Sequence, residues 1–144
     1  MSETVAIASD HAGFALKEAL KAELALLGRT VLDLGTDGPA SVDYPDFGRA
    51  CAEAVASGRA GRGVVVCGTG IGISIAANRN PAVRAALCHD ATSARLAREH
   101  NDANILALGA RLIGDEVAKE CVRVFLSTAF AAGRHVPRVA KLGG

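Results

Sequence analysis

The stretch Val64-Val65-Val66-Cys67-Gly68-Thr69-Gly70-Ile71-Gly72-Ile73-Ser74-Ile75-Ala76-Ala77-Asn78 sets a thiol between an uncharged β-branched run and three glycines at alternate positions that lead into an apolar helical run. A buried parallel strand, a tight turn and a helix follow from that pattern. N–H groups at a helix start have no intrahelical partner and lie at the positive end of its dipole, so this turn is expected to attract an anion. The same field favours thiolate over thiol, which makes Cys67 a candidate nucleophile or base. Thr69 and Ser74 add hydroxyl donors, and Gly68, Gly70 and Gly72 leave room for a ligand to touch backbone. A cysteine that ends a strand is otherwise just a small buried residue; the glycine spacing and the hydroxyls argue for more.

Other polar residues fall at comparable places. Asp10 and His11 follow the first apolar run, Val5-Ala6-Ile7-Ala8, and Arg111 follows Ile105-Leu106-Ala107-Leu108. Strand exits in an open α/β sheet converge on one edge, so these groups are expected to share a cleft with Cys67. His100 carries an imidazole, the side chain suited to passing protons to and from sugar oxygens. It lies with Asn101 at the far end of a helix, which would have to approach the cleft, from another subunit if need be. Arg134 and Arg138 are four apart after Gly133 and suit a phosphate, which accepts paired N–H bonds; a solvated basic tail is the plainer alternative. Tyr44 sits near a polar loop, where its hydroxyl meets either water or ligand. His89 and His135 read as surface or helix-start residues.

The elements that must position these groups alternate. Strands are expected at residues 5–8, 30–34, 64–67, 83–88 and 105–108. The first helix carries Leu16, Leu20, Leu24 and Leu27 at helical spacing and stops at Gly28. The next starts at Tyr44-Pro45-Asp46, with Phe47, Cys51, Ala54 and Val55 facing inward. Asp90 caps a helix that ends near His100. A long last helix runs from Asp115 to Gly133, with Val117, Cys121, Val124 and Phe125 inward, and the Gly133 to Arg138 segment marks a break and a short new turn. Such alternation implies a parallel sheet with right-handed crossovers, in one domain spanning the chain. The expected class is a three-layer α/β/α Rossmann-like fold with five parallel strands.

Composition narrows the partners. At 144 residues, 50% hydrophobic and 22% charged, the chain reads as an ordinary globular protein with a real core. Only 3% of residues are aromatic and the net charge is +1, which disfavours nucleic acid. Cys51, Cys67, Cys88 and Cys121 lack metal or redox spacing, so reduced thiols, no metal and no cofactor are expected. No signal-like leader or membrane-length run is evident, and a cytoplasmic protein is the expectation. The glycine turn fails as a dinucleotide fingerprint because Ile73 stands at the third glycine position. A sugar-phosphate sensor without chemistry would keep Arg134 and Arg138 but need no reactive Cys67.

Asp10-His11-Ala12-Gly13, Tyr44-Pro45, the run Cys67 to Asn78, His100-Asn101-Asp102-Ala103-Asn104 and Gly133-Arg134-His135 together resemble type B ribose-5-phosphate isomerase, over nearly the whole chain. The wider family includes allose-6-phosphate and galactose-6-phosphate isomerases. The resemblance implies that Cys67 moves a proton between C1 and C2 of an open-chain sugar through a cis-enediolate, while His100 opens the furanose ring. It implies that Thr69 and the backbone of Gly68, Gly70, Ile71 and Gly72 hold the oxyanion, with Ser74 and Tyr44 alongside. Asp10 and Asn101 would bind sugar hydroxyls, and His11, Arg134 and Arg138 the phosphate, with Arg111 nearby. Some relatives carry glycine at the Cys67 position and glutamate where this chain has Ile73; isoleucine accepts no proton, so the base here falls to Cys67. The family also implies a homodimer, or a dimer of dimers, with sites shared between chains.

Overall fold

Five parallel strands form one sheet in the order β2-β1-β3-β5-β4. They are β1 (Thr4–Ser9), β2 (Thr30–Asp33), β3 (Arg62–Cys67), β4 (Ala85–Leu87) and β5 (Ile105–Gly109). The structure is a computed structural model and describes residues 3–143. Between and after the strands run α1 (Phe14–Leu26), α2 (Tyr44–Ala56), α3 (Ile71–Ala77), α4 (Ala91–Asn101), α5 (Asp115–Ser127), a 3-10 turn (Gly133–His135) and α6 (Val136–Leu142). The expected Rossmann-like α/β/α arrangement is therefore present.

Alternation along the buried strands sends successive side chains to opposite faces. Val5, Ile7, Val64, Val66, Leu106 and Leu108 join one core with Leu16, Leu20 and Leu24 of α1 and Phe125 of α5. Ala6, Ala8, Val65, Cys67 and Ala107 join the other with Cys51 and Ala54 of α2 and Ile73 of α3. The small residues on the second face let α2 and α3 lie close to the sheet and to each other.

The order of strands reverses direction at β1. From β1 the chain steps out to β2, then returns across to β3 on the other side. The loops leaving β1 and β3 therefore part company and open a crevice between them, where ligands bind in such folds. Backbone hydrogen bonds hold these exits in register: Asp10 N–H donates to Val66 O (3.2 Å), Ala110 N–H to Cys67 O (2.9 Å) and Arg111 N–H to Gly68 O (2.9 Å).

Two side-chain devices finish the sheet. Lys17 of α1 is fully buried and donates to both carboxylate oxygens of Asp33 at 2.8 and 2.9 Å, while Lys21 adds a third contact at 2.7 Å. Asp33 in turn accepts from Gly35 N–H at 2.9 Å. At the opposite edge, the Asn78 amide both donates to Ala85 O (2.9 Å) and accepts from Ala85 N–H (2.7 Å).

Several expected boundaries are corrected. β4 is only Ala85–Leu87, because Arg84 and Asn104 make loop bonds on its near side. α5 stops at Ser127 rather than Gly133: Thr128 turns to extended backbone, its hydroxyl donates to Val124 O at 2.7 Å, and its carbonyl is taken by Arg98 Nε at 3.1 Å. Val117 is 40% exposed, since Ala118, Cys121, Val122 and Phe125 occupy the inward stripe. Among the described residues no helix is long and apolar enough to cross a membrane.

Candidate active site

The crevice between the β1 and β3 exits is a cleft of about 470 Å³. Cys67, the last residue of β3, stands at its floor and is 4% exposed. Gly70 caps α3 in the left-handed region, at φ +77°, and this turns its N–H back onto Cys67 Sγ at 3.2 Å. A side chain at Gly70 would meet Leu87 and the Leu108 backbone within 3 Å, so the turn depends on glycine for both space and conformation. Negative charge on that sulfur thus has a donor already in place.

The other donors of the loop divide in two. Ile71 N–H is spent on Thr69 Oγ1 at 3.2 Å, and Gly70 N–H on the thiol. Among the described residues nothing accepts from the N–H of Gly68 or Thr69, and both residues line the cleft. With the Thr69 hydroxyl, they form a small set of donors beside the sulfur that suits an oxyanion. The backbone N–H groups of Gly70 and Ile71, expected to face the oxyanion, are instead taken up within the loop, although Ile71 is among the residues that line the cleft.

Facing this loop are the residues after β1. Asp10 is 6% exposed; one carboxylate oxygen accepts from Gly13 N–H at 3.0 Å, which leaves the other for the cleft. His11 Nδ1 accepts from Val42 N–H at 3.1 Å. That bond places the ring hydrogen on Nε2, so His11 presents a donor while its other nitrogen tethers the loop before α2. Tyr44, at the start of α2, lies over Gly72, and Arg111 lies over Gly68, where an added methyl would come within 3.2 Å of its Nη1. The cleft thus brings together Asp10, His11, Tyr44, Cys67, Gly68, Thr69, Ile71, Gly72 and Arg111 from four separate segments.

Some expected residues lie elsewhere. Ser74 faces away, its hydroxyl donating to Ile71 O at 2.7 Å, and Gly70 is buried beneath the loop. Asn101 borders a second cavity of about 400 Å³ near Asn78, Arg84 and Leu142. His100, Arg134 and Arg138 do not line the cleft of their own chain. Two cleft residues, Ala12 and Ile75, escaped the sequence reading. Ile75 follows Ile71 by one helical turn on the outward side of α3, a spacing that shows a shared face without saying what that face meets. Among the described residues no group of three or more His, Cys, Asp or Glu side chains is placed to hold a metal ion.

The remaining thiols differ from Cys67 in their surroundings. Burial pushes Cys51 up to about 12 and Cys121 up to about 11, and raises Cys88 as well. They behave as small apolar side chains.

This arrangement has close counterparts. The sequence profile of the ribose/galactose isomerase family matches residues 5–142. The chain belongs to that family. It is 44% identical over 135 residues to ribose-5-phosphate isomerase B of Escherichia coli, covering 94% of this chain and 91% of that one. The structure of Clostridium thermocellum ribose-5-phosphate isomerase B superposes with a TM-score of 0.96 at 53% identity, covering 97% of this chain and 95% of the other. A D-erythrulose-4-phosphate isomerase of Pectobacterium atrosepticum is 42% identical over 141 residues, or 97% of this chain and 93% of its own. As a member of the ribose/galactose isomerase family the chain is an intramolecular oxidoreductase acting on sugars. The relatives differ in the sugar they are named for.

Proposed function

We propose that this protein interconverts ribose 5-phosphate and ribulose 5-phosphate with Cys67 as the base. The observation that carries this reading is the thiol at the cleft floor with Gly70 N–H on its sulfur and unspent donors beside it. From aldose to ketose, the Cys67 thiolate takes the C2 proton of the open-chain sugar. The C2 electron pair moves into the C1–C2 bond, and the charge that develops on O1 is met by the N–H groups of Gly68 and Thr69 and by the Thr69 hydroxyl. The thiol returns the proton to C1, and the hydroxyl proton on O2 passes to O1, leaving a C2 ketone. No net electrons leave the sugar. Asp10 holds sugar hydroxyls, and His11 and Arg111 face the phosphate.

The furanose ring must open first, and His100 is assigned the transfer of a proton from the O1 hydroxyl to the ring oxygen. His100, Asn101, Arg134 and Arg138 reach the chemistry from a second copy of the chain. What supports this is that α6 and the 3-10 turn before it bury no residue in one chain, while Ile71, Ile75, Val136 and Leu142 are 49 to 60% exposed. A seven-residue helix has little stability of its own and needs a surface to pack on.

The test uses deuterated water. Wild-type protein given ribulose 5-phosphate is expected to place deuterium at C2 of the aldose product, and Cys67→Ala to lose turnover by at least about 10²-fold while still binding substrate. Undiminished turnover in the alanine variant would remove Cys67 from the role. A second reading, a four-carbon sugar phosphate as the preferred substrate, is favoured by the Pectobacterium relative's name, and a panel of four-, five- and six-carbon aldose phosphates ranks the candidates by kcat/KM.

A further inference from the structure

His135, which reads from the sequence as a surface residue, is stacked on His100: the ring centroids are 4.5 Å apart and the planes are inclined by 16°. The contact is built by the backbone. After α5 the chain is pinned to the end of α4 twice, by Arg98 Nε on Thr128 O at 3.1 Å and by Ala131 N–H on Glu99 O at 3.1 Å. Ala132 and Gly133 then both adopt φ +57°, and His135 N–H closes the turn on Ala132 O at 3.1 Å. The left-handed region is unfavourable for alanine, and such outliers persist where the surroundings enforce them. Here the enforced turn delivers one imidazole flat against another.

We propose that His135 is a positioning residue for ring opening, a stacked ring that fixes the plane of His100 so that its nitrogen meets the ring oxygen. The inference rests on the reading of His100 as the ring-opening group. Charge around the pair favours the arrangement: burial, then His100, Arg134 and Arg138, hold His135 below the ordinary histidine range, and Glu99 alone opposes them. That direction disfavours a second cation against the face of His100 while it carries the proton in transit.

Chemistry separates this role from a merely structural one. Ribose 5-phosphate closes a furanose ring through O4, whereas ribulose 5-phosphate, with O5 phosphorylated, cannot. Exchange of a C1 hydrogen of ribulose 5-phosphate with deuterated water therefore needs Cys67 but no ring opening. With the full-length assembled protein, His135→Ala is expected to lower kcat on ribose 5-phosphate about 10- to 100-fold, the scale of losing orientation, with KM and the C1 exchange rate within about twofold of wild type. His135→Phe, which keeps a stacking ring, is expected to recover most of kcat. Equal loss of both reactions, a rise in KM alone, or no change in His135→Ala would each overturn the proposal. So would failure of phenylalanine to rescue in a protein that assembles normally. His100→Ala run alongside tests the parent reading: if it too slows exchange and conversion equally, or if wild type acts on neither sugar, the ring-opening assignment itself is wrong. Loss of conversion in His100→Ala with an unaffected His135→Ala would sink the positioning role alone.

Discussion

Two glycines at the start of α3 separate conformation from space. Gly70→Ala must hold a methyl group at φ +77° and within 3 Å of both the Leu87 side chain and the Leu108 backbone, and the Leu108 backbone cannot yield. The expected cost is about 2–4 kcal/mol of unfolding free energy, with turnover lost because the N–H can no longer face Cys67 Sγ. Thermal or urea unfolding beside kcat measures both. Gly72→Ala instead meets only the Tyr44 ring, which is 41% exposed and can swing aside. Near-wild-type stability and a changed KM are expected there, and an unfolding midpoint lowered as much as for Gly70→Ala would show that Tyr44 is not free to move. At this scale the sequence was legible for the meeting of Cys67, Thr69 and Asp10, which line one cleft. It was not legible for which N–H groups of the loop are spent, because that depends on the sign of one φ angle at Gly70. Ser74 misled for a related reason: a helical serine has a backbone carbonyl within reach, and Ser74 uses it.

Between elements, the Lys17 to Asp33 contact joins α1 to β2 and, through Gly35, the loop that carries the cleft rim. Burial alone would raise the Asp33 carboxyl, but hydrogen bonds from Lys17, Lys21 and Gly35 N–H outweigh it and hold the group at about 2, below the ordinary aspartate value of about 4. A carboxyl depressed in the folded state stabilises above the unfolded value, and the contribution disappears as the pH falls from about 4 toward 2. Asp33→Asn is therefore expected to flatten the fall in melting temperature over that window, and a slope identical to wild type would contradict the linkage. Lys17→Met is expected to cost about 1–3 kcal/mol at neutral pH, less than a fully buried broken pair because Lys21 still contacts Asp33. The helices themselves were readable from their periodicity: Leu16, Leu20 and Leu24 lie where spacing puts them. The end of α5 was not, because Gly133 looks like a stop signal while the real stop is a contact from Arg98 on a different helix to the Thr128 carbonyl. Val117 fails for a subtler reason, since Ala118 is small enough to hide as an inward residue in any hydrophobic count.

For the whole molecule, the proposed sharing of the site between copies makes a quantitative prediction. Cys67→Ala and His100→Ala proteins, each inactive on ribose 5-phosphate, are expected to recover about a quarter of wild-type activity when unfolded together and refolded in equal amounts. Half of randomly formed dimers are mixed, and each mixed dimer holds one intact site of two. No recovery, with mixed dimers demonstrated, would place both residues in one chain's site. The convergence of Asp10, Cys67 and Arg111 could be foreseen, since a strand order that reverses brings those exits together. The remoteness of His100 and Arg134 from that cleft was visible only as a helix end in need of a neighbour, because sequence spacing carries no information about a second copy. How such copies meet is limited by a small feature at the other margin of the sheet. By occupying both hydrogen-bonding groups of Ala85, the Asn78 amide acts as a permanent false strand, and the short β4 beyond it has little left to offer an incoming backbone. Continuous sheets running from copy to copy are thereby closed off on this flank, so that contact between copies here falls to side chains on helices, whose identities can be tuned one residue at a time.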